Sequence, residues 1–419
     1  MGLCLVLTGC AGQYPQPGGT NSNLPSLLGN QPGNPPAQAA GIGKTGGPVA
    51  LLVPLSGDFA PVGQALVNAA KLAFAGSGAP ALDIRDTGGN PAGAVTAAQA
   101  AIAAGDGLIL GPLTSAETHA VAPIAEAAGV NVLAFTNDSS AAAPGVWTMG
   151  ITPDEQVSRV VTDASAAGRT QIAALLPDSD FGHSLGSALQ TATAALSEPA
   201  PSLTFYEGGF SNLNQSIRDL SDFQDRGAGL EAQIKAAKDL DTPAGNEKAR
   251  ELAHQQIPAP SFNALFIGAT QGDELAEIAT LLPFYSVTSP QVQILGPALW
   301  ANIAPAMGSN GVYNGALYAA PDPATAAPFD QKYQSAYGGA PPAIADVAFD
   351  SAAIAVLAAG QGGYTSGVLT QPSGFSGLDG VLQLEPSGQV QRGLAVFEIQ
   401  PGAPTISSPA PTSLTTPSS

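Results

Sequence analysis

Cysteine and histidine are nearly absent from this chain of 419 residues, which contains two cysteines and three histidines. Both cysteines, Cys4 and Cys10, fall within the first ten residues, so the rest of the chain has no thiol for a disulfide or a nucleophile. The histidines, His119, His183 and His254, lie far apart and lack the spacing of metal ligands. We therefore expect no metal site and a fold that is stabilised by packing alone.

Basic residues are also scarce, with 13 Lys and Arg against 32 Asp and Glu, giving a net charge of -19. Such a charge repels phosphate backbones and anionic lipid surfaces, which argues against nucleic acid as a partner. No run of about twenty apolar residues occurs, which excludes an ordinary membrane-spanning helix.

No Walker loop occurs in the sequence. The Gly-x-Ser-x-Gly spacing is present at Gly182-His183-Ser184-Leu185-Gly186, but an elbow serine directly follows a strand, whereas Ser184 lies well beyond the strand predicted at 171–176. The Gly-x-Gly-x-x-Gly spacing at 41–46 precedes the first predicted strand, whereas a dinucleotide fingerprint follows one.

Asp178 and Asp180 form a close carboxylate pair that could in principle do acid–base or metal chemistry. Ser179 and the following Phe181 and Gly182 favour instead a turn from a strand into a helix. We therefore predict a protein that is not an enzyme and needs no cofactor.

The N-terminal residues 1–10 end in Leu7-Thr8-Gly9-Cys10, which resembles a bacterial lipobox. The resemblance implies that Cys10 is lipidated and anchors the chain on the periplasmic side of the envelope, on the outer membrane. No Lys or Arg precedes the apolar run, which indicates a truncated or misassigned start. The alternative is that residues 1–10 are the frayed end of a cytosolic protein.

Residues 11–46 and 401–419 are rich in Pro, Gly, Ser, Thr, Asn and Gln. Such compositions bury too little apolar area to offset the entropy of ordering the backbone. We expect a disordered tether at 11–46 and a disordered tail at 401–419.

From residue 48 onward, short apolar runs alternate with Ala-rich amphipathic segments, a pattern typical of parallel strands joined by helical crossovers. About 350 residues exceed what one hydrophobic core usually supports, so we predict an α/β protein with two doubly wound lobes.

Residues 222–256 concentrate charge and predict a helical hairpin, which is either an exposed connection or a docking surface. Residues 380–384 and 394–399 predict a closing hairpin with Gly388 in its turn.

Four stretches resemble the type I periplasmic binding fold of the leucine-binding proteins: Pro54-Leu55-Ser56-Gly57, Ile109-Leu110-Gly111-Pro112-Leu113-Thr114-Ser115, Ala127-Ala128-Gly129-Val130 and Phe349-Asp350-Ser351-Ala352. The resemblance covers most of 48–400 and implies three crossings between the lobes, near Met149, Leu317 and Ser373. The N-terminal lobe would then comprise 47–149 with 318–372, and the C-terminal lobe 150–317 with 373–400. A ligand would lie between them, where strand ends and helix N-termini converge.

The resemblance also implies the cleft residues, which are Ser56, Ser115, Thr136, Asp138, Phe181 and Gln271. In amino-acid-binding members, the residues at the positions of Ser115, Thr136 and Asp138 hold the ligand carboxylate. In this chain, the carboxylate of Asp138 would repel it. Phe181 takes the place of an aromatic residue but lacks a hydroxyl group. Gln271 lies where a carboxylate would pair with the ligand ammonium. Ser56 and Ser115 have the alternative role of helix caps.

A narrower set of motifs resembles the penicillin-binding protein activators, which are envelope lipoproteins: Ala134-Phe135-Thr136-Asn137-Asp138, Trp147-Thr148-Met149-Gly150-Ile151-Thr152-Pro153, Phe262-Asn263-Ala264-Leu265-Phe266-Ile267-Gly268 and Leu281-Leu282-Pro283-Phe284-Tyr285. The resemblance implies a non-catalytic lipoprotein that activates a peptidoglycan synthase by binding it directly. The alternatives are a substrate-binding component of an ABC transporter for branched-chain amino acids or related solutes, with a permease as partner, and a purely structural lipoprotein.

Overall fold

A computed structural model describes residues 43–255 and 257–414. Cys10, the signal segment and most of the predicted tether therefore lie outside the described residues. None of the helices in the described part of the chain is long and apolar enough to cross a membrane.

The described residues form fifteen strands in three sheets. The first sheet contains β1 (Val49–Val53), β2 (Leu82–Asp86), β3 (Leu108–Leu110), β4 (Asn131–Ala134) and β5 (Val146–Thr148). The second contains β6 (Ile172–Pro177), β7 (Ser202–Tyr206), β8 (Ala264–Ile267), β9 (Gln293–Gly296), β10 (Leu317–Ala320), β14 (Ala395–Glu398) and β15 (Thr405–Ser408). The third is small and contains β11 (Phe375–Gly377), β12 (Gly380–Leu384) and β13 (Val390–Arg392).

The helices follow the strands along the chain. They are α1 (Ala60–Ala73), α2 (Pro91–Ala104), α3 (Ser115–Ala128), α4 (Pro153–Ala166), α5 (Asp180–Ala195), α6 (Phe210–Leu220), α7 (Phe223–Lys238), α8 (Pro243–Ala253), α9 (Gly272–Phe284), α10 (Ala304–Met307), α11 (Pro323–Tyr337), α12 (Ile344–Gly360) and α13 (Ser366–Leu369).

The first sheet is entirely parallel, in the order β2-β1-β3-β4-β5. The second has the order β15-β14-β10-β9-β8-β6-β7 and is parallel except for β14 and β15. Both central sheets are covered on two faces by apolar clusters, which explains why strands such as β1 are continuous apolar runs. The predicted α/β class with two doubly wound lobes is confirmed.

The chain passes between the lobes three times, and two of these crossings differ from the predicted positions. The first lies at Gly150, between β5 and α4, next to the predicted Met149. The second follows Ala320 rather than Leu317, because all of β10 is hydrogen-bonded within the second sheet. Residues 318–320 therefore belong to the C-terminal lobe.

The third crossing lies at Gly393, and its predicted position near Ser373 is wrong. Phe375, Leu382 and Val390, from the small third sheet, are buried in the same cluster as the first sheet and α12. Residues 375–392 therefore complete the N-terminal lobe, because their apolar side chains find their partners there.

The predicted closing hairpin is also wrong in its pairing. Strand β12 pairs with β13, and Gly388 has a φ of +93° in the turn between them. Residues 395–398 pair instead with β10 in the other lobe. Short apolar runs identify both segments as strands, but they do not identify the partner of either.

The tail predicted as disordered contains a strand. Residues 405–408 pair antiparallel with β14, and we call residues 405–411 the C-terminal strap. Arg159, on α4, donates hydrogen bonds to the Ser408 hydroxyl at 2.7 Å and the Pro409 carbonyl at 3.3 Å. The polar strap is ordered because its backbone and hydroxyl groups find partners, which composition does not reveal.

The charged insertion predicted over 222–256 consists of α7 and α8, which pack against each other through a small cluster of Ala237, Ala249 and Leu252. Thr242 caps the second helix by accepting a hydrogen bond from the Gly245 amide. Most of the remaining side chains are exposed. The pair is therefore a surface hairpin with little core of its own.

Candidate functional site

A cavity of about 820 Å³ lies between the lobes. Its walls come from the C-terminal ends of β3, β4, β6 and β9, from the first two crossings, and from the start of α12. Apolar side chains such as Leu113, Phe135, Ile151 and Leu299 form much of the lining. This volume falls within the range of small-molecule sites.

Four of the six predicted cleft residues line this cavity: Ser115, Thr136, Asp138 and Phe181. Ser56 does not, and its hydroxyl instead makes a hydrogen bond that lowers the pKa of Asp86. Gln271 is exposed, precedes α9 and is also absent from the lining. The strand ends bring together the first four, whereas Ser56 and Gln271 follow their strands without reaching the cavity.

Ser115, Thr136 and Asp138 are hydrogen-bonded to one another. The Ser115 hydroxyl donates to Oδ2 of Asp138, and the Asp138 amide donates to the Thr136 hydroxyl oxygen at 3.1 Å. Oδ1 of Asp138 accepts from the Ser140 amide at 2.9 Å. Burial opposes ionisation, but the hydrogen bonds from Ser115 and Ser140 outweigh it and lower the pKa of Asp138. The position expected to receive a ligand carboxylate is therefore negatively charged.

The helix cap at this position is Thr114, not Ser115. The Thr114 hydroxyl oxygen accepts from the Glu117 amide at 3.3 Å, and Glu117 accepts from the Thr114 amide at 3.0 Å. This reciprocal capping box satisfies the first turn of α3. The Ser115 hydroxyl is not needed for the cap and points to Asp138.

Among the described residues, the cavity lining contains carboxylates and no basic side chain. The carboxylates are Asp138, Asp322, Asp330, Asp346 and Asp379. Burial, with the nearby charges of Asp379 and Asp350, raises the pKa of Asp346 to about 8. Asp346 therefore carries a proton in much of the population at neutral pH.

A buried ionic cluster beside the cavity was missed by the sequence analysis. Arg392 donates to the Met149 carbonyl at 2.6 Å and to Asp379 at 3.1 Å, and its Nε lies 3.4 Å from Glu155. Burial lowers the pKa of Arg392, but Glu155 and Asp379 more than offset it, so the net shift is upward. The available signal was an arginine just before the apolar run Leu394–Phe397, in a chain with few basic residues.

Asp178 and Asp180 lie at the turn from β6 into α5, and Ser184 lies inside α5 with its hydroxyl donating to the Asp180 carbonyl at 2.8 Å. Ser179 caps α5 by accepting from the Gly182 amide, as the predicted turn requires. His183 lies 2.8 Å from Asp178, but both side chains are about half exposed to solvent. Within residues 43–255 and 257–414, no group of three His, Cys, Asp or Glu could hold a metal ion.

Comparisons with known proteins agree with this architecture. Residues 48–201 match the family model described as periplasmic binding protein. No curated protein matches the sequence. A branched-chain amino acid ABC transporter protein from Rhodospirillum rubrum has a TM-score of 0.66 at 16% identity, over 86% of this chain and 99% of that one.

The C-domain of LpoA from Haemophilus influenzae, described as a regulator of PBP1A, has a TM-score of 0.61 at 20% identity, over 86% of this chain and 99% of that one. Full-length LpoA from the same organism has a TM-score of 0.62 at 20% identity, over 86% of this chain but only 58% of its own length. Residues 48–201 thus match the periplasmic binding protein family model, and the described chain has the type I periplasmic binding protein fold.

Proposed function

We propose that this protein is a non-catalytic regulator that binds a penicillin-binding protein, a peptidoglycan synthase, on the periplasmic side of a bacterial envelope. The hydrogen bond from Ser115 to Asp138 is the observation that carries the proposal, because it removes the expected binding site for a ligand carboxylate. The fold shared with the LpoA C-domain, a regulator of PBP1A, supports the same function.

The charge of the cleft disfavours a free amino acid. Hydrogen bonds lower the pKa of Asp138 and favour its ionised form, and the described lining residues include no Lys, Arg or His to neutralise a second carboxylate. Two like charges 4 Å apart repel by about 4 kcal/mol at an effective dielectric constant of about 20. A branched-chain amino acid would therefore lose much of the affinity that a transport receptor needs.

A regulator of this kind also needs a surface outside the cleft that contacts its partner protein. Leu240, at the end of the α7–α8 hairpin, is 67% exposed, and Phe284 is 68% exposed and stacks on Phe223 with ring centroids 6.2 Å apart. Exposed aromatic side chains are typical anchors of protein interfaces. We propose that the synthase covers this part of the C-terminal lobe.

The test is direct binding of the full chain to a purified bifunctional penicillin-binding protein, measured by interferometry together with the rate of glycan polymerisation. We expect binding without added ligand and a raised rate. A tenfold bias toward the active state requires about 1.4 kcal/mol of differential contact. Leu240→Ser with Phe284→Ser should weaken binding, whereas Ser115→Ala should not.

The second candidate is a solute receptor that closes on a small molecule and delivers it to an ABC permease. The cavity of about 820 Å³ between the lobes favours it. Saturable stabilisation by leucine, with compaction in small-angle scattering and no synthase binding, would overturn the regulator proposal.

Lipidation of Cys10 remains a proposal that rests on the lipobox resemblance. We expect an acylated N-terminal cysteine when the chain is expressed in a bacterium behind a lipoprotein signal peptide and measured by mass spectrometry. A Cys10→Ala variant that stays equally bound to the outer membrane would contradict the anchor.

A further inference from the structure

Gly393, at the third crossing between the lobes, has α4 bound to the residues on both sides of it. Glu155 lies 3.4 Å from the guanidinium of Arg392, and Arg159 donates to the carbonyl of Leu394 at 2.9 Å. Because Glu155 and Arg159 are four residues apart on one helix, they project from the same face of α4. One helix of the C-terminal lobe therefore holds the residues before and after the crossing.

The N-terminal lobe and the C-terminal strap contact Gly393 itself. Its amide donates to the carbonyl of Val381, on β12, at 2.9 Å. A Cβ added to Gly393 would lie 2.9 Å from the carbonyl oxygen of Pro411 and 3.1 Å from its Cγ. The three heavy atoms nearest to that Cβ all belong to Pro411. The strap therefore packs directly on the backbone of the crossing, beyond the sheet to which it adds a strand.

Arg159 connects the strap with the crossing. The guanidinium that donates to Leu394 also donates to the Ser408 hydroxyl at 2.7 Å and to the Pro409 carbonyl at 3.3 Å. Asp163, one turn further along α4, lies 3.8 Å from the same guanidinium. Attachment of the strap therefore orders the side chain that holds Leu394.

The strap itself is weakly anchored. Its strand β15 is the last of the second sheet and pairs on one side only. Ile406 is 45% exposed, and Ala410 is a partly buried residue at the margin of the apolar cluster of the C-terminal lobe. Segments with few buried contacts open at a lower free energy than the whole protein does. The strap can therefore detach while both lobes remain folded.

We propose that the C-terminal strap is a clamp on the third crossing: attached, it fixes the angle between the lobes, and detached, it lets the crossing rotate. Rotation at a few crossing residues is what changes the angle between two rigid lobes. The clamp thereby controls how far the inter-lobe cleft opens. It is independent of the proposed synthase contact, which uses another part of the C-terminal lobe.

The test measures the distance between the lobes in the full chain by double electron–electron resonance. Cys4 and Cys10 are the two cysteines of the sequence, so replacing both with serine leaves no competing thiol. Spin labels are then attached at Glu126→Cys and Gln190→Cys, on exposed positions of α3 and α5. We expect a narrow distance distribution in the full chain and a broader one in a chain that ends at Pro404.

Hydrogen exchange gives a second readout. Residues 390–394 do not pair with the strap, so a strap that only covers a sheet edge would leave their exchange unchanged. We expect their exchange to become about tenfold faster after truncation, and faster by a smaller factor in Ser408→Ala, because the crossing opens at a lower free energy. Arg169→Met, which loses bonds to the Pro290 and Gln291 carbonyls, is the control and should change neither readout.

Gly393→Ala tests the contact with Pro411 directly. In the full chain the new Cβ conflicts with Pro411, so the substitution should broaden the distance distribution as truncation does. In the truncated chain Pro411 is gone, and the same substitution should broaden it no further. This difference between the two backgrounds is specific to a strap that acts on the crossing.

The proposal is overturned if the truncated chain keeps the narrow distribution and the slow exchange of residues 390–394. It is also overturned if Gly393→Ala acts equally in both backgrounds, or if Arg169→Met broadens the distribution as much as truncation does. If the truncated chain does not fold, Ser408→Ala and Gly393→Ala in the full chain decide, and an unchanged distribution in both rejects the clamp. Synthase binding enters neither readout, so its failure would reject only the proposed regulation.

Discussion

Arg392 and Glu155 join the two lobes: the guanidinium, on the last strand of the N-terminal lobe, lies 3.4 Å from the carboxylate, on the first helix of the C-terminal lobe. Arg392 also donates to the carbonyl of Met149 at the first crossing. Both side chains are almost fully buried. This contact therefore fastens the first crossing to the third and restrains the angle between the lobes.

Arg392→Met should destabilise the protein by about 3–5 kcal/mol, because Glu155 and Asp379 would remain buried without their cation. Urea unfolding measures this change. Arg218→Met, which removes an exposed pair with Asp219, is the control and should cost less than about 1 kcal/mol. Equal effects of the two substitutions would show that the Arg392 cluster does not stabilise the fold.

Asp346→Asn should flatten the pH dependence of stability. The pKa of Asp346 is about 8 in the folded protein, compared with 3.8 for an ordinary aspartate. Unfolding at a pH between these two pKa values therefore releases a proton. The contribution of Asp346 to the stability of the wild type therefore falls as pH rises from about 4 to 8. The variant should be more stable at pH 8 by about 1–2 kcal/mol after allowance for solvent screening.

Part of the slope should persist in that variant, because burial and Asp379 raise the pKa of Asp350 to about 7. Chemical unfolding of both proteins at pH 5 and pH 8 checks the prediction. An unchanged difference between the two pH values would show that Asp346 is not perturbed.

Gly63→Ala should be strongly destabilising. Gly63 is buried on α1, and an added Cβ would lie 1.7 Å from the carbonyl oxygen of Pro54. Because this neighbour is backbone, we expect a cost of about 3 kcal/mol or more. Gly229→Ala, on exposed α7 with open space around it, should instead stabilise by up to about 1 kcal/mol. Thermal unfolding of both variants distinguishes steric from helix-propensity effects.

Arg159→Met should loosen the C-terminal strap without unfolding the protein. The guanidinium donates to the Leu394 carbonyl at 2.9 Å as well as to Ser408 and Pro409. Hydrogen exchange should become faster in residues 405–408. Arg169→Met, which loses bonds to the Pro290 and Gln291 carbonyls, is the matched control and should leave the strap unchanged.

The alternation of strands and helices was predictable because buried parallel strands are short apolar runs, as residues 49–53 show. Ser115, Thr136, Asp138 and Phe181 were predicted as cleft residues from the resemblance to the leucine-binding proteins and line the cavity, whereas Ser56 and Gln271, predicted in the same way, do not. Strand partners were not predictable, since residues 390–392 and 395–398 are separated by only two residues of chain but pair in different lobes.

The sequence by itself determined the α/β class, the number of lobes and the edge of each sheet where the cleft forms, because these depend on local periodicity and chain direction. Only the tertiary structure decided that the Ser115 hydroxyl is bonded to Asp138, and that Arg392 meets Glu155 across 237 residues of chain. Such contacts depend on which surfaces pack together in the folded protein. Local sequence patterns do not indicate which residues far apart in the chain become neighbours.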